Sequence, residues 1–165
     1  AALITAPAYF RLQSAGLPVL AVLLDHEDIY VSTYYLFRRE ALTKRATALA
    51  FIKAHAEAIR RFYDDKPFAT ETMIKYGGAR NADDAGRVYD LFKRARVLEP
   101  IPYALKGSVE ATVERQSQEL KGADLAKVID NSLIDQLVKE KYFESVFGAS
   151  IRDEQQRKQA QAYGR

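Results

Sequence analysis

The pattern of hydrophobic and polar positions changes its period within one stretch, residues 29–63. Residues 29–37, IYVSTYYLF, are dense in β-branched and aromatic side chains, as a buried or half-buried strand needs. From about Thr43 the apolar positions recur every three, four or seven residues, which places them on one face of a helix. These positions are Leu42, Leu49, Ile52, Ala56, Ile59 and Tyr63. The change of period predicts a strand that leads into a long amphipathic helix, which is half of a βαβ unit.

Two shorter apolar runs precede this stretch and predict further strands at residues 3–5 and 19–24. The second run does not alternate, so both of its faces should be covered, as in a parallel sheet. Between them, Pro7 and Gly16 are placed to begin and end a short helix over residues 8–15. The fold class predicted from these patterns is therefore α/β, with a short, mainly parallel sheet covered by many helices.

Helices should follow the long one. Asp65 and Pro67 predict the start of a helix over residues 68–76, which Gly77 ends, and Asn81 predicts the start of the next. The apolar face of that next helix should consist of Ala85, Val88, Tyr89 and Phe92.

The remainder of the chain alternates between extended and helical patterns. Residues 98–103 hold two prolines and should be extended, and Ser108 and Gly122 should bound a further helix. Asp130 or Asn131 should cap the last clear helix, which faces inward through Leu133, Ile134, Leu137 and Val138. Residues 151–165 have almost no apolar spacing and predict a solvated helical extension or a frayed tail.

Composition narrows the classes of protein only slightly. A chain of 165 residues suits one domain, and its 48% hydrophobic and 28% charged residues are ordinary for a folded protein. The net charge of +3 does not by itself indicate nucleic-acid binding. Because there is no Cys, disulfides, thiolate metal sites and a Cys nucleophile are excluded within this chain. The apolar run at 19–24 is far shorter than the ~20 residues that a membrane span needs.

Motifs that would indicate catalysis are not found in the sequence. It has no phosphate-binding Gly-Lys-Ser/Thr loop, no dinucleotide fingerprint, no two-histidine zinc helix and no Gly-x-Ser-x-Gly elbow. The sequence therefore favours a protein that is not an enzyme, with no cofactor and no metal.

Three segments carry a resemblance to a known family. They are AALITAPAYFRLQSAGLPVLAVLLD at the start, YLFRREALTKRATALAFIKAHAEAI in the middle and VIDNSLIDQLVKEKYF near the end. In order and spacing they resemble the C-terminal half of substrate-binding proteins of ABC importers. The subgroup is the nitrate/sulfonate/taurine or thiamine-pyrimidine-precursor type, with a type 2 periplasmic binding fold. The sequence departs from that family at Lys141-Tyr142, where the family usually has Gly.

This resemblance implies an architecture and a function. Residues 1–28 would end the second lobe and form the hinge, residues 29–148 would return to the first lobe, and residues 149–165 would be a polar tail. The protein would be a non-enzymatic solute-binding component, periplasmic or lipid-anchored outside the cell. It would bind a small polar or anionic organic ligand between its lobes and present it to an ABC permease. A missing N-terminal half, or a second copy, would complete the cleft. One branch of the family makes a pyrimidine with His and Cys residues, and the absence of Cys argues against it.

Five residues are candidate ligand contacts. Thr5 precedes a predicted helix N-terminus, where free N–H groups attract anions, although it could simply be a cap. Ser32 and Thr33 would offer hydroxyls along the return strand, together with the neighbouring Tyr34 and Tyr35, unless these side chains pack in the core. Alternation would point Ser32 and Tyr34 to one face of the strand and Thr33 and Tyr35 to the other. Tyr9 on the first helix and Tyr30 near the hinge have the same two interpretations.

Other polar groups have a simpler explanation. His26 lies among Asp25, Glu27 and Asp28, but consecutive residues in one loop rarely converge on one ion, so a solvated loop is favoured. His55 fits a boundary position on the long helix. The densest cationic cluster, Arg38, Arg39, Lys44 and Arg45, indicates either a solvated helix start or a docking surface for an acidic partner.

A second hypothesis comes from another class of protein. The chain would be an α-rich protein-interaction or regulatory module, in which the helices after Thr43 form a docking surface and no small ligand is bound. The two hypotheses differ most in whether the first 37 or so residues form a sheet.

Overall fold

The computed structural model describes residues 2–22, 34–116, 122, 124–127 and 129–164. Within these residues the chain forms helices, turns and irregular segments, and no strand or sheet is present. The predicted α/β fold with a parallel sheet is therefore wrong, and with it the type 2 periplasmic-binding architecture.

The predicted strands lack what a strand requires. A strand is stable when its backbone groups pair with a neighbour and one of its faces is buried. Residues 3–5 and 19–22 are irregular, and all of their side chains except that of the half-buried Val22 are exposed, Leu3 by 81% and Leu20 by 80%. Residues 34–37 are irregular too. Positions 23, 24 and 29–33 of the predicted strands lie outside the described residues.

Helices account for most of the described chain. In order they are α1 (Ala8–Ser14), α2 (Arg39–Thr43), α3 (Arg45–Asp64), α4 (Lys66–Tyr76), α5 (Ala82–Ala95), α6 (Lys106–Gln116), α7 (Ser132–Lys139), α8 (Tyr142–Phe147) and α9 (Arg152–Tyr163). Short 3₁₀ turns occupy Leu125–Lys127 and Ala149–Ile151.

Local signals place several of these helix ends, as predicted. The Asp65 carboxylate accepts a hydrogen bond from the Phe68 N–H at 3.0 Å, and so caps α4. The Asn81 side chain caps α5 by accepting from the Asp84 N–H at 2.9 Å. Gly16 follows α1 with φ of +86°, a conformation that glycine adopts without strain.

The chain divides into two compact units. The first consists of Ala1–Glu27 and Ala58–Glu99, and the second of Asp28–Glu57 and Pro100–Arg165. Each unit therefore combines two segments that are distant in sequence, and the division falls within α3. The boundaries expected from the resemblance, at residues 28 and 148, describe a different partition.

In the first unit, small and aromatic side chains bring α4 and α5 together. Ala69 and Ala85 are fully buried, which lets the two helices approach closely, and Tyr89 is buried beside Phe62. Arg11 of α1 forms a salt bridge with the largely buried Asp84 at 3.0 Å. Because Asp84 lies in the first turn of α5, this bond fixes α1 to the start of that helix.

The core of the second unit is larger and involves more elements. The inner face of α3 packs with α7, α8 and the segment before α6 in one hydrophobic cluster. Its members are Ala48, Ile52, Ala56, Ile101, Tyr103, Leu133, Ile134, Leu137, Phe143, Ile151 and Ala162. The last two lie in the 3₁₀ turn before α9 and near the end of α9, so the segment beyond residue 150 is a helix that contributes to the core and not a wholly solvated extension.

One buried amide organises the proline-containing segment of this unit. Asn131 accepts from the Ala104 N–H at 2.8 Å and donates to the Ala104 carbonyl at 3.0 Å, in the way that a paired strand would. It stands at the N-cap position of α7 but its side chain does not cap the helix. Instead Asp130 accepts from the Ser132 N–H at 2.9 Å, and hydrogen bonds from the Ser132 hydroxyl and then from its N–H lower the pKa of Asp130.

Candidate functional site

The two faces of α3 within the second unit differ in character. Ala48, Ile52 and Ala56 are four residues apart and point into the core. Phe51 and His55 are also four residues apart, but they lie on the outer side of the helix and are exposed. A large aromatic ring on the outer side of a core helix is not explained by the packing of that core.

Residues 34–37 lie along this outer side. The Tyr35 ring centroid is 5.4 Å from that of Phe51 and 5.1 Å from that of His55. The Phe37 and Phe51 centroids are 5.8 Å apart. All three pairs are close to perpendicular, which is the favourable edge-to-face arrangement of aromatic rings. These contacts hold the segment against the helix.

Exposure alternates along residues 34–37. Tyr35 and Phe37 are half-buried, whereas Tyr34 is 69% and Leu36 is 87% exposed. This period of two is the one that an extended backbone produces. Together with the 50% exposed Phe51, the outward side chains form an apolar area on the protein. We call it the aromatic surface, and it consists of Tyr34, Tyr35, Leu36, Phe37, Phe51 and His55.

Positive charge follows the aromatic surface directly in sequence. Arg38 precedes the short helix α2, Arg39 begins it and Lys44 follows it, and all three are exposed. No salt bridge joins any of them to another residue in the described part of the chain, and Glu40 is the single carboxylate between residues 34 and 45. We call these three residues the basic rim.

The fourth member of the predicted cationic cluster has a structural role. Arg45 donates to Gln136 Oε1 at 2.8 Å, and to the Ser132 carbonyl and hydroxyl oxygens at 2.9 and 3.2 Å. These bonds connect the start of α3 to α7. Arg45 therefore stabilises the packing of α3 against α7, and it is not part of the basic rim.

Burial affects two titratable rings of the aromatic surface, Tyr35 and His55. Burial raises the pKa of Tyr35 to about 12 and lowers the pKa of His55 from its ordinary value. Burial therefore disfavours the charged form of both rings.

The ligand contacts predicted from sequence are not brought together by the structure. Thr5 is exposed, and its carbonyl accepts from the Tyr9 N–H at 3.1 Å as the chain enters α1. Pro7, not Thr5, occupies the N-cap position, with no side-chain cap. Tyr9 is half-buried with its ring 4.6 Å from that of Phe10. Tyr30, Ser32 and Thr33 lie outside the described residues, as do His26 and its acidic neighbours.

A second polar arrangement lies within the second unit. Asp135 accepts hydrogen bonds from the hydroxyls of Tyr103, at 2.8 Å, and of Tyr163. Burial, and then the bond to Asp135, raise the pKa of Tyr103. An open depression of about 500 Å³ beside it is lined by Gln156, Gln159, Ala160 and Tyr163. Since both hydroxyls are satisfied internally, this arrangement connects α9 to α7 and offers no unpaired group to a ligand.

Across the described ranges, no group of three or more His, Asp or Glu side chains is placed to hold a metal ion. None of the described helices is both long and apolar enough to cross a membrane.

Comparison with known proteins adds no relative. No family model matches the sequence, and no match was found among curated proteins or among solved structures. Function is therefore assigned from the surface itself.

Sequence reasoning had singled out Tyr34, Tyr35 and the basic residues, but it missed Leu36, Phe37 and Phe51. The spacing of Phe51 and His55, off the apolar stripe of α3, was the signal that could have found the outer face.

Proposed function

We propose that this protein is a helical protein-interaction module, which binds a partner protein through the aromatic surface and the basic rim. One observation carries the proposal. Tyr34, Leu36 and Phe51 are exposed by half or more on one side of α3, and three cations without a salt-bridge partner among the described residues follow them in sequence.

The residue types support a protein partner. Tyrosine, phenylalanine and arginine are enriched at protein interfaces, where a few large anchors supply most of the binding free energy. Burial of apolar surface contributes about 25 cal/mol per Å² before the costs of association are subtracted. Because Tyr35 and Phe37 pack against α3, the segment is already ordered, which reduces the entropy lost on binding.

The shape of the site supports a macromolecule over a small solute. A small-molecule site encloses most of its ligand, whereas Tyr34 and Leu36 project outward. The solute-binding hypothesis required an α/β lobe that the described residues do not form. Ligand capture and transport stay untested predictions, and the interaction module is the hypothesis that we take forward.

Site-specific photo-crosslinking in cells tests this function. A photoreactive phenylalanine analogue is placed at Leu36, and at Tyr76 as a control, because Tyr76 is similarly exposed in the first unit. We expect a discrete crosslinked protein from position 36 that is absent from position 76. Adding Arg38→Glu and Arg39→Glu should remove that product. Identical products from both positions, or none from position 36, would refute the proposal.

A further inference from the structure

We infer that the partner binds as an extended acidic segment, which adds as a β-strand to the backbone edge of residues 34–37, an edge that no other described residue pairs with. This inference rests on the proposed function, and it specifies how the aromatic surface is used and by what chemistry.

Residues 34–37 have an extended conformation. Their side chains alternate between half-buried and exposed, and Arg38 continues the extended backbone with φ of −66° and ψ of 146°. Rings on α3, rather than a neighbouring strand, hold this conformation. The segment is therefore shaped like an edge strand although it belongs to no sheet in the described part of the chain.

The backbone N–H and carbonyl groups of residues 34–37 are the groups that an added strand would pair with. Among the hydrogen bonds between described residues, none involves an N–H or carbonyl of residues 34–37. The first carbonyl after them that is used is that of Arg38, which accepts from the N–H groups of Ala41 and Leu42 as α2 begins. A row of unpaired N–H and carbonyl groups on extended backbone is a template for another strand.

The two faces of this extended segment differ in what covers them. Phe51 occupies the side of Tyr35 and Phe37, so an added strand would present its own side chains beside Tyr34 and Leu36. Apolar residues at alternate positions of the partner would fit there, since neighbours across a strand pair share a face. The sequence of residues 29–37 also has the composition of a strand.

The residues that follow this segment carry charge. Arg38, Arg39 and Lys44 follow the edge in sequence. Glu40 is the single acidic residue between residues 34 and 45, so the charge of this stretch is positive. Charge complementarity therefore requires carboxylates on the partner segment where it passes α2. Such contacts accelerate association and weaken as salt is added.

An anionic membrane is the other class of macromolecule that aromatic and basic residues can bind. The backbone edge argues against it, because unpaired N–H and carbonyl groups are costly in hydrocarbon and a peptide satisfies them. A rim of three cations is also smaller than the clusters of about four to eight that lipid binding uses.

Peptide selection tests the inference on the full chain. A library of random short peptides is displayed and selected for binding, and the enriched sequences are synthesised. We expect acidic sequences with apolar residues at alternate positions. N-methylation of alternate backbone amides on one edge of such a peptide should weaken binding at least tenfold, whereas methylation on the other edge should not.

Charge reversal provides the matched control. Arg38→Glu with Arg39→Glu should weaken the acidic peptides at least tenfold, and a peptide with its acids changed to lysine should bind this variant again. Arg80→Glu with Arg157→Glu changes the net charge equally at exposed positions elsewhere and should leave binding unchanged. Circular dichroism and urea unfolding should show that both variants fold as the native chain does.

The remaining outcomes separate this inference from the proposed function. Peptides that need Leu36 and the basic rim but tolerate N-methylation, with apolar residues every three or four positions, would overturn strand addition and leave the interaction module intact. If no selected peptide depended on Leu36 or the rim, both would be overturned. Binding to phosphatidylserine vesicles that Leu36→Ala abolishes, with no peptide selected, would replace both with a membrane surface.

Discussion

Ile52 and Phe51 are neighbours in sequence on the same helix, yet they belong to surfaces with different roles. Ile52 is 2% exposed within the core of the second unit, whereas Phe51 is 50% exposed and contacts only the aromatic rings of residues 35 and 37 among the ring pairs described. The inner face is explained by folding alone. The outer face holds apolar area that folding does not use, and this difference is the reason for assigning it to recognition.

The largest expected effect comes from the inner face. Ile52→Ala removes buried methyl groups and leaves a cavity, which typically costs about 2–5 kcal/mol of unfolding free energy. Phe51→Ala removes a half-exposed ring and its edge-to-face contacts, worth about 0.5–1.5 kcal/mol per pair beyond area. Urea unfolding of both variants measures the contrast. Equal losses in the two variants would show that Phe51 belongs to the core.

A second prediction concerns the polar contact that supports this core. Asn131→Ala leaves the half-buried Ala104 N–H and carbonyl without their partner at a buried side chain, which should cost about 1–3 kcal/mol. Asp130→Ala is the control, since Asp130 is exposed and its hydrogen bonds are to the neighbouring Ser132. Its loss should be smaller. A more stable Asn131→Ala variant in urea unfolding would contradict this account of residue 131.

The outer face should respond in the opposite way. Leu36→Ser changes a side chain that is almost wholly exposed, so unfolding free energy should shift by less than about 0.5 kcal/mol. Affinity for the crosslinked partner, measured by fluorescence polarisation, should fall at least tenfold. Leu3→Ser, at a similarly exposed position of the first unit, should alter neither quantity. Unchanged partner affinity in Leu36→Ser would remove Leu36 from the interface.

The smallest effect is a pH dependence at His55. Because burial lowers its pKa in the folded state, the unfolded chain binds the proton more readily. The stability that the neutral His55 ring contributes is complete above the pKa of histidine in the unfolded chain, about 6.5. It is lost as the pH falls below that pKa. The unfolding free energy of the native chain minus that of His55→Gln, measured by urea titration, should be slightly larger at pH 7.5 than at pH 5. A native chain that gains stability in acid relative to His55→Gln would contradict this sign.

Local signals and long-range signals were not equally readable from the sequence. Asp65, Asn81 and Gly16 act on residues within one turn, so their roles as helix boundaries could be predicted and are confirmed. The predicted strands failed because a strand depends on a partner elsewhere in the chain, and apolar composition does not supply one. Asp130 or Asn131 was expected to cap α7; Asp130 accepts from the Ser132 N–H, whereas Asn131 bonds to Ala104, 27 residues away.

The site follows the same rule. The alternation at Tyr34 and Tyr35 was readable from sequence and is observed in their exposure. What these side chains pack against was not readable, because the outer face of α3 contributes Phe51 and His55 from a different period. The burial of Ala162 at the end of a very polar helix was likewise invisible in apolar spacing.

The central claim is that the inner face of α3 stabilises the fold and the outer surface binds the partner. The most direct test measures unfolding free energy and partner affinity in two variants, Ile52→Val and Tyr34→Ala with Leu36→Ala. The first should lose about 0.5–1.5 kcal/mol of stability and keep its affinity, since the deleted methylene is buried. The second should keep its stability and lose affinity at least tenfold. Stability and affinity that fall together in both variants would contradict the claim.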